Sequence, residues 1–198
     1  MSDRWTVVIP VKGTSGAKSR LGASFELAMA IALDTVAVAV GVARVIVVTP
    51  SAVAARFEQV GASVVIDPGN GLPGAIEVGL AAASVGQGEK GGPVAVMLGD
   101  LPALAADELR EVFVMAESFP LAFVADAEGI GSSIILAHSA ASHRPAFGAD
   151  SRTAHVRAGY VELPIPPASG LRRDVDTAEQ LASLPPERLG PRTRALLA

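Results

Sequence analysis

The feature that most restricts the fold is an alternation of short apolar runs with longer helical stretches through residue 117. Residues 5–11, 44–49, 63–66 and 93–98 are rich in Val, Ile and Ala, and the last three close on Pro50-Ser51, Asp67-Pro68 and Gly99-Asp100. Unbroken apolar runs of this length read as strands covered on both faces, the signature of a parallel sheet. Between them, 24–40, 51–60, 72–84 and 104–117 read as helices. In the first of these Phe25, Met29, Leu33, Val36 and Val40 recur at spacings of three and four, and Pro73 suits the first turn of the third. Strand-helix alternation argues for a mostly parallel α/β sheet with right-handed crossovers. Beyond residue 120 the strands come closer together, at 121–125, 133–137 and 159–164, which predicts mixed pairing. A helix opening over 171–177, with Thr177 and Gln180 at capping-box spacing, and a short surface helix in the tail 185–198 complete the chain. Without a repeat, a low-complexity stretch or a linker, residues 1–198 read as a single domain.

Composition narrows the function classes. Hydrophobic residues make up 50% of the chain and charged ones 18%, enough for a large core. The net charge of −4 carries no general nucleic-acid footprint. The absence of cysteine removes disulfides, thiolate metal sites and thiol nucleophiles. A mean hydropathy of +0.43 raises the membrane question. The most apolar stretch, 27–48, is broken by Asp34 and Arg44, whereas a spanning helix wants about 20 predominantly apolar residues. The opening Met1-Ser2-Asp3-Arg4 carries no signal-peptide core. The expectation is a soluble cytoplasmic protein with neither membrane nor nucleic acid as partner. The apolar content leaves room for a homodimer surface, although a dense core explains it equally well. Asp34 reads as a polar-face residue of its helix.

Four stretches carry residues suited to chemistry. The loop after the first strand holds Lys12, Lys18 and Arg20 among Gly and Ser, a combination suited to a polyphosphate, though it lacks the P-loop pattern. Exposed basic residues in a loop are otherwise merely solvated. Asp100, at the end of the fourth strand, sits where open α/β sheets hold their ligands; it is either a metal ligand or a turn residue. In Asp174-Val175-Asp176-Thr177 two carboxylates face one side of an extended segment. They can bridge a hard cation such as Mg²⁺, cap the following helix, or both, Asp174 being the freer for metal. The small-residue loops Gly129-Ile130-Gly131-Ser132-Ser133 and Phe147-Gly148-Ala149-Asp150-Ser151 offer donors to an anion, unless they are an ordinary loop and an N-cap.

Other patterns lead away from their usual chemistry. Gly69-Asn70-Gly71-Leu72-Pro73-Gly74 matches the dinucleotide pattern in form. The acidic residue about 20 positions on, Glu89, falls in a connector rather than at a strand end, so a tight turn opening a helix is the reading. His138, His143 and His155 lack metal-ligand spacing and read as core or surface residues. No nucleophile elbow supports serine hydrolysis. A basic loop after one strand and carboxylates after two later segments are the parts of a nucleotidyltransferase, whose chemistry needs charge neutralisation and in-line positioning more than a protein base.

In order along the chain, Val8-Ile9-Pro10-Val11-Lys12, Ala17-Lys18-Ser19-Arg20-Leu21, Gly99-Asp100-Leu101-Pro102, Phe147-Gly148-Ala149-Asp150-Ser151 and Asp174-Val175-Asp176-Thr177 jointly resemble the CofC/FbiD family of guanylyltransferases in deazaflavin coenzyme biosynthesis. The resemblance runs from about residue 5 to 183. It implies a three-layer, nucleotide-diphospho-sugar-transferase-like fold, GTP as donor, and phosphoenolpyruvate or 2-phospho-L-lactate as acceptor. Overall likeness favours phosphoenolpyruvate. Pyrophosphate would be released and the product handed to a downstream transferase. The resemblance assigns Mg²⁺ to Asp100, Asp174 and Asp176, with Asp100 and Lys18 at the centre of catalysis. It assigns the GTP phosphates to Lys18 and Arg20 and the acceptor to Ser132, Gly148 and Ser151, with Ser133 as the alternative to Ser132. Pro73 stands where the family pattern leads one to expect Asn, removing a donor that Asn70 could replace. A transferase of the same fold using a sugar phosphate or a molybdenum-pterin, and a non-catalytic nucleotide-binding module, are the other readings.

Overall fold

Successive residues of a strand point to opposite faces of its sheet, and in this chain both faces are apolar. Val7 and Ile9 pack in one cluster with Met29, Val36, Phe57, Leu109 and Phe113. Val8, between them, packs in another with Ala75, Ile76 and Ala83. Helices must therefore cover both sides, and a three-layer α/β arrangement results.

The structure is a computed structural model that describes residues 5–12, 25–85 and 91–198. Along it run β1 (Thr6–Pro10), α1 (Phe25–Val40), β2 (Arg44–Thr49), α2 (Ser51–Glu58), β3 (Ser63–Ile66), α3 (Gly71–Ser84) and β4 (Val94–Met97). Then come α4 (Ala106–Ala116), β5 (Leu121–Ala125), β6 (Ser132–Ala137), α5 (Ser151–Arg157), β7 (Val161–Glu162), α6 (Ala178–Ala182) and α7 (Pro191–Leu197). The seven strands form one sheet in the order β3-β2-β1-β4-β6-β5-β7. β1 lies parallel to both β2 and β4, β2 to β3, and β5 to β7. β6 runs antiparallel to both β4 and β5, which is the mixed pairing expected of the second half. The chain moves outward from β1 through β2 to β3 and then returns to β4 on the other side of β1. That reversal opens a crevice beyond the carboxyl ends of β1 and β4. No helix among the described residues is long and apolar enough to cross a membrane.

Three local expectations change. The last strand holds only Val161–Glu162, because Pro164, Pro166 and Pro167 have no N–H to donate to a ladder. The helix expected from residue 171 begins at Ala178. Before it, residues 170–172 form a single 3₁₀ turn capped by Ser169 Oγ, which accepts the Leu171 N–H at 3.2 Å. The capping box itself is present: Thr177 Oγ1 accepts the Gln180 N–H at 3.2 Å, and Gln180 Oε1 accepts the Thr177 N–H at 3.0 Å. Asp34 is not a solvated polar-face residue. It is 3% exposed, and its carboxylate accepts hydrogen bonds from Arg192 N and Nη1 and from Thr193 N and Oγ1 at 2.8–3.2 Å. α1 thus holds the start of α7 by a buried charge.

Candidate active site

β1 ends in Pro10-Val11-Lys12 and β4 in Leu98-Gly99-Asp100, and both line a cleft of about 240 Å³. Its remaining walls come from α1, through Phe25, Ala28, Met29 and Ala32, and from the entry to α3, through Asp67, Gly71, Leu72 and Ala75. Asp176 closes it from the far part of the chain. Backbone bonds hold these pieces in register. Leu98 donates to Ser133 O at 2.9 Å, and Val175 donates to Asp100 O at 3.1 Å, which lays the Asp174–Asp176 segment against the end of β4. Val175 is buried at 1% exposure, so an extended backbone turns both flanking aspartates the other way. The turn after Asp100 is pinned to α1, where Thr35 Oγ1 accepts the Leu101 N–H at 3.3 Å.

Asp174 is the electrostatic focus. Burial, followed by the carboxylates of Asp100, Asp126 and Glu128, pushes its pKa up to about 7. Its Oδ1 is buried and has no hydrogen-bond partner among the described residues. Asp126, Glu128 and Asp174 each offer a ligand atom within 4.8 Å of the others. Concentrated negative charge around a buried acceptor oxygen fits a hard divalent cation, which takes oxygen ligands and offsets the mutual repulsion. Asp126 is also a loop clamp: its carboxylate accepts the Ile130 N–H at 2.9 Å and the Gly131 N–H at 2.6 Å. A side chain at position 131 would collide with that carboxylate. Glu128 accepts from Gln180 Nε2 at 3.0 Å, which ties it to the start of α6.

The two small-residue loops meet at the start of α5. Arg152 donates to Ile130 O at 3.0 Å from its backbone and to Gly129 O at 3.2 Å from Nη1. Gly148 has φ +140° with open space beside it, and Asp150 is left-handed at φ 56°. Ser151 is buried beneath Gly131, and Ser132 is buried on β6. His155 Nε2 accepts the Ala146 N–H at 2.9 Å. The ring proton therefore belongs on Nδ1, which faces Ser132 Oγ at 2.9 Å. Ser133 turns to the opposite side, its Oγ 3.5 Å from Val124 O.

The structure brings Lys12, Asp100 and Asp176 into one cleft, places Asp174 against Asp100, and gathers Ser132, Gly148 and Ser151 around α5. Asn70, the exposed N-cap of α3, is not among the cleft-lining residues. Lys18 and Arg20 lie outside the described residues. Asp126 and Glu128 were missed in the sequence, where only the neighbouring stretch Gly129–Ser133 was read, for its N–H and O–H donors. Two acids two positions apart just after a strand repeat the pattern of Asp174 and Asp176, and were the available signal.

No protein-family model matches the chain. A phosphoenolpyruvate guanylyltransferase of Streptomyces coelicolor is 43% identical over 206 residues, covering 98% of this chain and 96% of that protein. The chain belongs to the phosphoenolpyruvate guanylyltransferase family. A Mycolicibacterium smegmatis member is 38% identical over 97% of this chain and 90% of its own length. Among solved structures, a protein assigned as a nucleotide-diphospho-sugar transferase from Desulfovibrio desulfuricans superposes with TM-score 0.70 at 18% identity, over 98% of this chain and 94% of that one. The manganese complex of a Mycobacterium tuberculosis protein superposes with TM-score 0.60 at 20% identity, over 90% of this chain and 96% of that one. These likenesses establish for this family member the nucleotide-diphospho-sugar-transferase fold.

Proposed function

We propose that this chain transfers GMP from GTP to phosphoenolpyruvate in deazaflavin coenzyme biosynthesis. A phosphate oxygen of the acceptor forms a bond to the α-phosphorus of GTP. The bond from that phosphorus to the α,β-bridging oxygen breaks, and pyrophosphate leaves with the electron pair. Neither step asks a side chain for a proton, so the protein's part is to position two polyanions and offset their repulsion. The observation that supports this reading best is the convergence of Asp100, Asp174 and Asp176 beside the cleft that also holds Lys12.

In this reading Asp100, Asp174 and Asp176 hold Mg²⁺, and the buried Asp174 Oδ1 suits that part. When bound, Mg²⁺ would neutralise triphosphate charge and favour in-line displacement. Lys12, Lys18 and Arg20 bind the GTP phosphates. The loops around Ser132, Gly148 and Ser151 hold the acceptor, with Asp126 keeping the first of them in shape. The product, in which a phosphoanhydride joins GMP to the acceptor's phosphate, is a substrate for a further transferase.

Incubation of the protein with GTP, Mg²⁺ and phosphoenolpyruvate or 2-phospho-L-lactate should release pyrophosphate, faster with phosphoenolpyruvate. No release with either acceptor would sink the proposal. Asp100→Asn should lower turnover about 100-fold or more while the far-UV circular dichroism spectrum stays unchanged. An active Asp100→Asn enzyme removes this residue from the mechanism.

A further inference from the structure

We propose that Asp67 is the guanine-reading residue of the donor site, its carboxylate accepting the N1–H and N2–H₂ donors of the base. This rests on the reading of GTP as donor and adds a residue that decides which nucleotide enters.

Three observations converge on Asp67. First, it lines the same cleft as Asp100 but from the opposite end. Asp67 follows β3 and Asp100 follows β4, and in the sheet order β3-β2-β1-β4 those strands are three spacings apart. At strand spacings near 4.8 Å the ends of the two strands stand roughly 14 Å apart, a span suited to an extended nucleotide with its phosphates at Asp100. Second, the helical walls of the cleft are apolar: Phe25 and Met29 on α1, Leu72 and Ala75 on α3, surfaces suited to the two faces of a flat ring, while Lys12 sits at the end of β1, next to β4 and its Asp100. Third, the carboxylate is held in place. Asp67 N donates to Thr49 O at 3.0 Å, which continues the β2–β3 ladder one residue past the strand. Its Oδ1 accepts the Gly69 N–H at 2.9 Å. It forms no ion pair with a Lys, Arg or His among the described residues.

An ionised carboxylate only accepts hydrogen bonds. Guanine presents two adjacent donors, N1–H and N2–H₂, which a carboxylate pairs with both oxygens. Adenine presents a lone pair at N1 and is repelled. Hypoxanthine keeps one donor, and xanthine sets a carbonyl oxygen against the carboxylate. A carboxylate at the end of this slot therefore selects guanine by attraction, disfavours hypoxanthine by one missing hydrogen bond, and rejects adenine and xanthine by repulsion.

The test measures kcat/KM for pyrophosphate release with GTP, ITP, XTP and ATP, at saturating phosphoenolpyruvate and Mg²⁺, and nucleotide binding by calorimetry. The wild-type enzyme should prefer GTP over ITP by about 10- to 100-fold, the value of one hydrogen bond to a charged group, and should use XTP and ATP far less. In Asp67→Asn the amide can donate to the xanthine carbonyl and accept its N1–H. That variant should lose GTP efficiency and gain XTP efficiency, so that the preference inverts while the KM for phosphoenolpyruvate stays constant. A gain with XTP cannot come from misfolding. If Asp67→Asn does not fold, the wild-type series decides alone: equal use of GTP and ITP overturns the proposal. Unchanged GTP preference in a folded Asp67→Asn enzyme also overturns it. If wild-type enzyme releases no pyrophosphate from GTP with either acceptor, the functional reading fails instead, and the two failures are distinct.

Discussion

At the scale of single residues, the acids around Asp174 tie the proposed cation binding to pH. A carboxyl pushed up to about 7 by burial and by three neighbouring acids is part-protonated near neutrality. A metal ligand must first lose its proton, so cation affinity becomes pH-dependent. Mg²⁺ or Mn²⁺ affinity, measured by calorimetry, should weaken by up to roughly tenfold per pH unit below about 7 and level off above it. In Asp174→Asn the overall affinity should drop and the inflection near that pH should disappear. An inflection that survives the substitution assigns the proton to another group.

At the scale of elements, α7 shows how a buried charge serves architecture. The helix starts at Pro191, which has no N–H to satisfy, and the donors that follow meet Asp34 on α1. With Asp34 3% exposed, removing its carboxylate leaves the Thr193 N–H and hydroxyl without their acceptor. Asp34→Ala should cost about 2–4 kcal/mol in urea denaturation, with kcat/KM changed little at temperatures where the fold persists. Gly190→Ala should destabilise at the same place, because a Cβ there meets the Asp34 carboxylate. Stability unaffected by Asp34→Ala would mean that these hydrogen bonds add nothing net to the folded state.

At the scale of the whole molecule, a buried histidine network joins the sheet to α5 and the loop before it. His143 Nε2 donates to Val94 O at 2.9 Å, and His143 Nδ1 accepts from the Tyr160 hydroxyl at 3.0 Å. The Tyr160 oxygen in turn accepts the Arg144 N–H at 2.9 Å. His143 and His155 are both pushed down to about 4, chiefly by burial, against 6.5 for the free side chain. Between those values the unfolded chain binds two protons that the native protein refuses, which weakens the native state as pH falls. Asp174 works the other way, holding a native proton that the unfolded chain, titrating at 3.8, has released. That contribution is full below 3.8 and lost as pH rises through about 7. Two protons less one leaves a net uptake of one on unfolding. Stability of the metal-free protein should therefore fall by roughly 1.4 kcal/mol per pH unit from 6.5 toward 4, and about twice as steeply in Asp174→Asn. Urea midpoints across that window check both slopes, and a flat profile contradicts the assignment.

What the sequence by itself determined are the features carried by local patterns. Apolar runs broken by turns placed β1 to β4 and their helices, the capping box marked α6, and Gly99-Asp100 announced a carboxylate at a strand end. Hydrophobic periodicity and turn chemistry act over a few residues, so they are readable without the fold. Tertiary structure alone decided what depends on distant segments meeting. β6 enters antiparallel between β4 and β5, which brings the loop of Asp126 and Glu128 against Asp174. Asp34 finds its partners nearly 160 positions away. Asp67, one turn residue among many in the sequence, becomes the far end of a cleft only once β3 lies three strands from β4. Charge, burial and a partner's reach are properties of place, and place is set by the packing of the whole chain.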